Sequence, residues 1–272
     1  MSEWDATSYD AKDNLLHVVG READNLFTLA SAPGAWESPT GCALWQVRDI
    51  VGHVIDMTES YFVSFETARS GLAGPAPLGL RVMHTLLDEG AKSHRVLSQD
   101  EALQRLKDDF ARFMEISAAL GPDEWSGFTA PHQYMGPAPA YIFPVFQLVD
   151  YGVHSWDIRQ GTGRSHALAG DVADLLAPFM FVLWNFTADV PADLPPFQIG
   201  IHIGSGHNAG AWRVSVDPSG VTYAPDDTDD LPATIEFDPA SLVLTAFGRA
   251  NAGTVRGDVD LAQRFLNLFF RI

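Results

Sequence analysis

The property that most limits how this chain can fold is a change of hydrophobic period near residue 168. Ahead of it, apolar residues recur at three- and four-residue spacing, the stripe of an amphipathic helix. Behind it, short runs alternate apolar and polar, the pattern of half-buried strands. A chain of 272 residues is also long for one compact core. The reading is two domains: a helical bundle over residues 1–165, then a smaller mixed α+β domain over residues 166–272.

In the first helix Leu15, Leu16, Val18, Val19, Ala23, Leu26, Phe27 and Ala30 make the stripe. In the second it is Trp45, Val47, Ile50, Val51, Val54, Ile55, Phe62 and Phe65, after a start signal at Ser38-Pro39-Thr40-Gly41. A third helix is expected from about Leu78, breaking near Ser98. There Ser98 and Glu101 form a capping-box pair that restarts a helix carrying Leu103, Leu106, Phe110, Phe113 and Met114. Pro131, Pro137 and Pro139 punctuate the stretch before a last helix at about 140–160, which Gly161-Thr162-Gly163 stops. Four long helices connected in this way predict a four-helix bundle. In the second half a helix from Asp171 to Asn185 precedes the strand-like runs FQIGIHI, AWRVSVD, VTYA and ATIEF. Turn signals at Asp217-Pro218-Ser219-Gly220 and Pro225-Asp226-Asp227 lie between them, and Pro239 to Phe247 and Asp258 to Phe270 read as helices.

Charge and cysteine content narrow the function classes. The formal charge is −18, from 17 basic and 35 acidic residues. Such a surface repels phosphate backbones and anionic lipid, so neither nucleic acid nor membrane is an expected partner. A small-molecule substrate is expected instead; an anionic one would need a local cationic anchor. The one cysteine, Cys42, forms no internal disulfide or cysteine-rich zinc knot and fits a reducing compartment. The opening MSEWDATSYDAKDN is acidic and polar, the reverse of a signal peptide, and no apolar run is long enough to span a bilayer. The cytoplasm is the expected location.

The chemistry concentrates near the end of the fourth helix, in the run QLVDYGVHSWD. Asp150 and His154 are one helical turn apart, on one face, with Cβ atoms about 5–6 Å from each other. A carboxylate and an imidazole so placed can share a divalent ion, although on its own such a pair is more often a solvated or hydrogen-bonded face. The second helix adds His53 within the apolar series Ile50, Val54 and Ile55. Beside it stands Gly52, which costs roughly 1 kcal/mol relative to Ala in mid-helix and so points to the close approach of another element or a ligand. Two imidazoles and a carboxylate from two packed helices make a three-ligand set with an open position, the pattern of a catalytic metal site. Asp56 and Glu59 read as supporting groups or a solvated face, and Asp157 as a partner for the His154 imidazole or a surface acid. Cys42 reads as a small packing residue. His17, His84, His94 and His132 receive no role, and His202 and His207 flank a turn at Gly204-Ser205-Gly206 that is too short for a phosphate loop.

These residues also carry a resemblance. The run CALWQVRDIVGHV, from Cys42 to Val54, looks like the second-helix signature of DinB-like metal-binding bundles, and DYGVHSWDIRQGTG, from Asp150 to Gly163, like their fourth-helix signature. The chain is most similar to the mycothiol-dependent maleylpyruvate isomerase family. That resemblance implies a DinB-like bundle followed by a sterol-carrier-like α+β domain, with zinc held by two histidines and a carboxylate. It spans nearly the whole chain: Thr245-Ala246-Phe247-Gly248-Arg249 and Val255-Arg256-Gly257-Asp258 match the Gly-Arg and Gly-Asp pattern of the second domain. The family commonly has glutamate where this chain has Asp150, so the carboxylate here is one methylene shorter.

The resemblance implies a divalent-metal enzyme, zinc being the first choice, held by His53, Asp150 and His154. A small-molecule thiol such as mycothiol would be the metal-activated nucleophile for isomerisation or S-transfer on a small electrophile. With a single cysteine in the chain, the nucleophilic sulfur comes from outside. Arg249 is the implied anchor for a substrate carboxylate, and without the resemblance it reads equally as a surface arginine. Two other functions remain open at this point: a hydrolase with metal-activated water, and a non-catalytic protein binding an apolar ligand in the second domain.

Overall fold

The computed structural model describes residues 3–163 and 167–270. The expected boundary between residues 165 and 166 lies outside the described residues. The chain divides into two compact units, Met1–Leu168 and Ala169–Ile272, helical first and sheet-containing second.

In the first unit four long helices, α1 (Lys12–Ala30), α2 (Val47–Ser70), α4 (Gln99–Ala119) and α6 (Ile142–Gly161), are joined by shorter ones, α3 (Met83–Ser93) and α5 (Pro122–Gly127). α6 packs on α1 and α2, α4 packs on the same two helices, and α3 lies along α2. α6 is buried nearly all round from Ile142 to Ser155, as expected of a helix with few exposed polar positions. Helix α2 begins at a capping box, in which the Asp49 carboxylate accepts the Gln46 N–H at 2.9 Å. The same wholly buried carboxylate accepts two further bonds, from Nε and Nη2 of Arg95, each 2.7 Å. The Ser98–Glu101 box starts α4 as the sequence predicts.

Three local features of the first unit differ from expectation. The third helix begins at Met83 rather than near Leu78, after a 3₁₀ turn at Leu80–Val82. Pro75 and Pro77 lie in the irregular segment ahead of it, where the missing N–H groups and fixed φ oppose a helix. The proline-punctuated stretch before α6 is an antiparallel hairpin, β1 (Thr129–His132) with β2 (Gly136–Pro139). Pro131 lies directly opposite Pro137, so the two residues without N–H groups share one cross-strand position of a two-stranded ribbon. α5 was not expected either; it is a single turn-and-a-half opened by Pro122 at its first position.

The second unit opens with α7 (Gly170–Thr187) and forms a five-stranded sheet in the order β5-β4-β3-β6-β7. Its strands are β3 (Phe197–Ile203), β4 (Gly210–Asp217), β5 (Gly220–Pro225), β6 (Ala233–Phe237) and β7 (Thr254–Gly257). Among the described residues the β3–β6 pairing is parallel and the other three in this sheet are antiparallel. Ile199, Ile201 and Ile203 of β3 turn inward together, as period-two alternation requires. α8 (Pro239–Ala246) packs on α7, and α9 (Val259–Leu266) is capped by Asp258, whose carboxylate accepts the Leu261 N–H at 2.9 Å. β7 was not expected, and α9 stops short of Phe270. Residues 268–270 instead bond the end of α7 and the chain just after it, through Asp189 N–H to Leu268 O at 2.7 Å and Phe270 N–H to Thr187 O at 3.0 Å. No helix among the described residues is long and apolar enough to cross a membrane.

Gly52 marks where α2 and α3 touch: a Cβ there would lie 2.3 Å from the Ala91 carbonyl oxygen. Gly52→Ala should therefore lose about 1–3 kcal/mol in denaturant unfolding, despite the roughly 1 kcal/mol that alanine gains in helix propensity. A raised midpoint would show that α3 yields freely. Asp49 gives a second expectation. Burial raises its pKa, but the Arg95 guanidinium and the Gln46 N–H outweigh burial and leave it lowered. Its contribution is thus present above the ordinary carboxylate range and lost as pH falls through the lowered value. Acid titration of Asp49→Asn should show a shallower loss of stability than the parent; identical slopes would remove Asp49 from the acid transition.

Candidate metal centre

α6 presents Asp150 and His154 one turn apart, and α2 brings His53 against them. His53 Nε2 lies 3.3 Å from Asp150 Oδ1. One ligand atom from each of His53, Asp150 and His154 falls within 4.8 Å of the other two, and all three residues are buried, with 5–7 % exposure. Asp150 Oδ2 and His53 Nδ1 are buried without a hydrogen-bond partner among the described residues. Such groups cost stability unless something binds them.

The surroundings orient the imidazoles. His154 Nδ1 faces Asp157 Oδ2 at 2.9 Å, which leaves Nε2 as the nitrogen available for a ligand. Burial lowers the His154 pKa, with the Asp157 carboxylate opposing, so the ring is held neutral, the form that ligates. The Trp45 indole covers both rings, with centroids 5.0 Å from His53 and 5.8 Å from His154. Its Nε1–H donates to Asp88 Oδ1 at 2.9 Å, and Lys92 pairs with Asp88.

Cys42 is the residue that sequence reasoning missed. Its thiol donates to Asp157 Oδ2 at 3.2 Å and lies 3.9 Å from His154 Nδ1. Cys42, His154 and Asp157 thus form a second group able to hold an ion. That group is already knit by hydrogen bonds, whereas the first holds unpartnered atoms, so His53, Asp150 and His154 are the better-fitting set. Gly41 permits the approach: its N–H bonds the Asp157 carbonyl at 2.7 Å, and a Cβ would stand 2.6 Å from Asp157 Oδ1. The signals in the sequence are the glycine before the cysteine and the place of Cys42 at the head of the second-helix signature.

Asp56 and Glu59 do not join the cluster. Asp56 packs against Gly90 of α3, and burial raises its pKa. Glu59 pairs with Arg105 of α4 at 2.6 Å. His17 and His84 are exposed, His94 lies beside Gly52, and His132 is buried among aromatic rings. In the second unit His202 faces Glu236 at 3.5 Å, and the His207 N–H bonds Asp174 Oδ1 at 3.2 Å in the turn after β3. Arg249 follows the left-handed Gly248 after α8, half-buried, with Nη1 donating to the Phe247 carbonyl at 3.1 Å.

A helical unit with an inward-facing His, Asp, His set, followed by a sheet-containing unit, defines the class of protein. A family model described as the mycothiol maleylpyruvate isomerase N-terminal domain matches residues 19–159, just over half of the chain, and the chain belongs to that family. The fold is similar to the crystal structure of the mycothiol-dependent maleylpyruvate isomerase, with a TM-score of 0.60 and 15% identity over 91% of this chain and 94% of that one. A mutant of that enzyme gives 0.59 at the same identity and coverage. At that identity the likeness shows the fold alone. No curated protein matches the chain by sequence.

The Asp157 contact carries a prediction. Asp157→Asn removes the charge that holds the His154 tautomer, and zinc affinity should fall about 10–100-fold with the fold retained. Cys42→Ala should change it far less. Equal zinc affinity in Asp157→Asn and the parent, by competition with a chromophoric chelator, would show that His154 needs no support.

Proposed function

We propose that this protein is a metal-dependent enzyme that uses a small-molecule thiol of the mycothiol kind to isomerise, or transfer sulfur to, a small electrophilic substrate. The observation that carries the reading is the buried His53, Asp150 and His154 set, with unpartnered polar atoms, in a member of this family. The donor set fits a divalent ion, zinc first. Ligand atoms bonded to one tetrahedral zinc at about 2 Å stand about 3.3 Å apart, and His53 Nε2 and Asp150 Oδ1 are 3.3 Å apart. The shorter side chain of Asp150 therefore reaches, because α2 and α6 already bring His53 to it.

When bound, such an ion supplies Lewis acidity at an open position and ionises a coordinated thiol. The protein residues divide the remaining work. His53, Asp150 and His154 hold the ion, Asp157 orients His154, and Trp45 screens both imidazoles from water on one side. Arg249 is assigned the substrate carboxylate, as the family pattern around Gly248 implies. An anionic substrate fits a site whose single carboxylate ligand leaves a divalent ion incompletely neutralised.

The test begins with elemental analysis of the purified chain. About one divalent ion per chain is expected, lost in His53→Ala and His154→Ala. Asp150→Asn should bind zinc much more weakly than the parent, and Asp150→Glu should equal or exceed it. Turnover of maleylpyruvate should require added mycothiol and fall in Arg249→Ala. Parent protein that cannot be loaded with zinc, or turnover indifferent to thiol, would overturn the proposal.

A further inference from the structure

The β1–β2 hairpin carries a buried imidazole that the metal set does not use. His132, the last residue of β1, is 2% exposed. Its Nδ1 accepts the backbone N–H groups of Tyr134 and Met135, each at 3.3 Å. A ring nitrogen that accepts carries no proton, so in the neutral ring the proton resides on Nε2. Nε2 lies on the ring edge away from that turn, buried and without a hydrogen-bond partner among the described residues. The turn needs only an acceptor, which an asparagine would supply, so the second nitrogen has no structural employment.

The position of this ring connects it to the candidate metal centre. Its neighbours are Tyr61 of α2 and Phe143 and Phe146 of α6, with ring centroids 6.1, 5.9 and 5.6 Å away. Phe143, Phe146 and Asp150 follow one another along one face of α6, and His53, Met57 and Tyr61 do the same on α2. The Gln133 side chain reaches Met57 Sδ at 3.7 Å, so the hairpin lies along the seam between those two faces. Burial lowers the His132 pKa to about 4, against the pull of the Asp150 charge, so near neutral pH the ring is an uncharged N–H donor.

We propose that His132 is a substrate-binding residue whose Nε2–H donates to a carbonyl or carboxylate oxygen of the substrate, beside the His53, Asp150 and His154 set. The inference rests on the proposed function for the identity of that seam as the active site. A buried donor with a fixed tautomer and no partner is the form of group that gains a bond only when ligand arrives.

The test uses the full chain loaded with zinc and maleate as the dicarboxylate probe. In imidazole ¹⁵N spectra the Nε2 signal of His132 should move saturably with maleate. His132→Asn, which keeps an acceptor for the Tyr134 and Met135 N–H groups, should bind maleate about 10-fold more weakly at unchanged zinc content. His132→Gln, which returns a donor near the Nε2 position, should recover part of the loss. An unmoved Nε2 signal in maleate-saturated parent, equal affinity in His132→Asn, or no maleate binding by the parent would overturn the inference. Should His132→Asn fail to fold, the parent spectra and His132→Gln decide. Maleate binding that depends on His132, without any thiol-dependent turnover, would instead remove the reading of the reaction and leave this residue's role standing.

Discussion

The first unit depends on one constraint: α6 is buried along most of its length and yet carries Asp150, His154 and Asp157 into the interior. A charged or polar group taken from water is tolerated only when it meets an opposite charge, a hydrogen-bond partner or a metal. Each of the three has such a neighbour from elsewhere in the chain or one turn along: His53 for Asp150, Asp157 for His154, and the Cys42 thiol for Asp157. Satisfying them requires backbones to come close. Gly41 and Gly161 let residues 39–42 lie against the end of α6, and Gly52 lets α3 lie on α2 behind His53. The packing of the unit and the assembly of the site are therefore the same problem, solved by the same residues.

That shared origin explains which parts were legible in the sequence. The long helices show through their apolar stripes, and the start of α4 through a capping pair that needs only four consecutive residues. His53, Asp150 and His154 show because each stands in a strongly helical stretch, where spacing alone fixes the face. Gly52 beside His53 signals a close approach, and the approach is made by the Ala91 carbonyl. Cys42 was not legible, because its partner Asp157 lies 115 residues away and is reached from a loop that has no periodicity. The β1–β2 hairpin was hidden by its prolines, which in a longer sheet would argue against a strand. β7 is short and lies at the sheet edge, so its sequence carries little alternation.

His132 illustrates the limit from another direction. A histidine after a proline and without a partner at metal spacing receives no role from the sequence, and nothing in its neighbours' spacing says otherwise. Its burial comes from the hairpin folding onto two helices whose inward faces are read from residues far away in the chain. Its tautomer comes from two turn N–H groups that exist only once the hairpin has closed. Both properties are tertiary, and both bear on what the ring can do.

Electrostatics then set the terms on which a ligand is met. The chain carries a formal charge of −18, so at long range an anion is repelled. Screening confines that repulsion to about 10 Å at ordinary ionic strength, and inside the seam the local count differs. Two imidazoles and one carboxylate around a divalent ion would leave a net positive charge, and His132 would add a donor without adding charge. The proposed centre would therefore be a short-range attractor inside an acidic molecule, selective for a small anion that can enter the seam and indifferent to the large polyanions its surface repels. Ligand selection on this reading comes from burial: only a molecule small enough to shed its water between α2 and α6 reaches the groups that favour it.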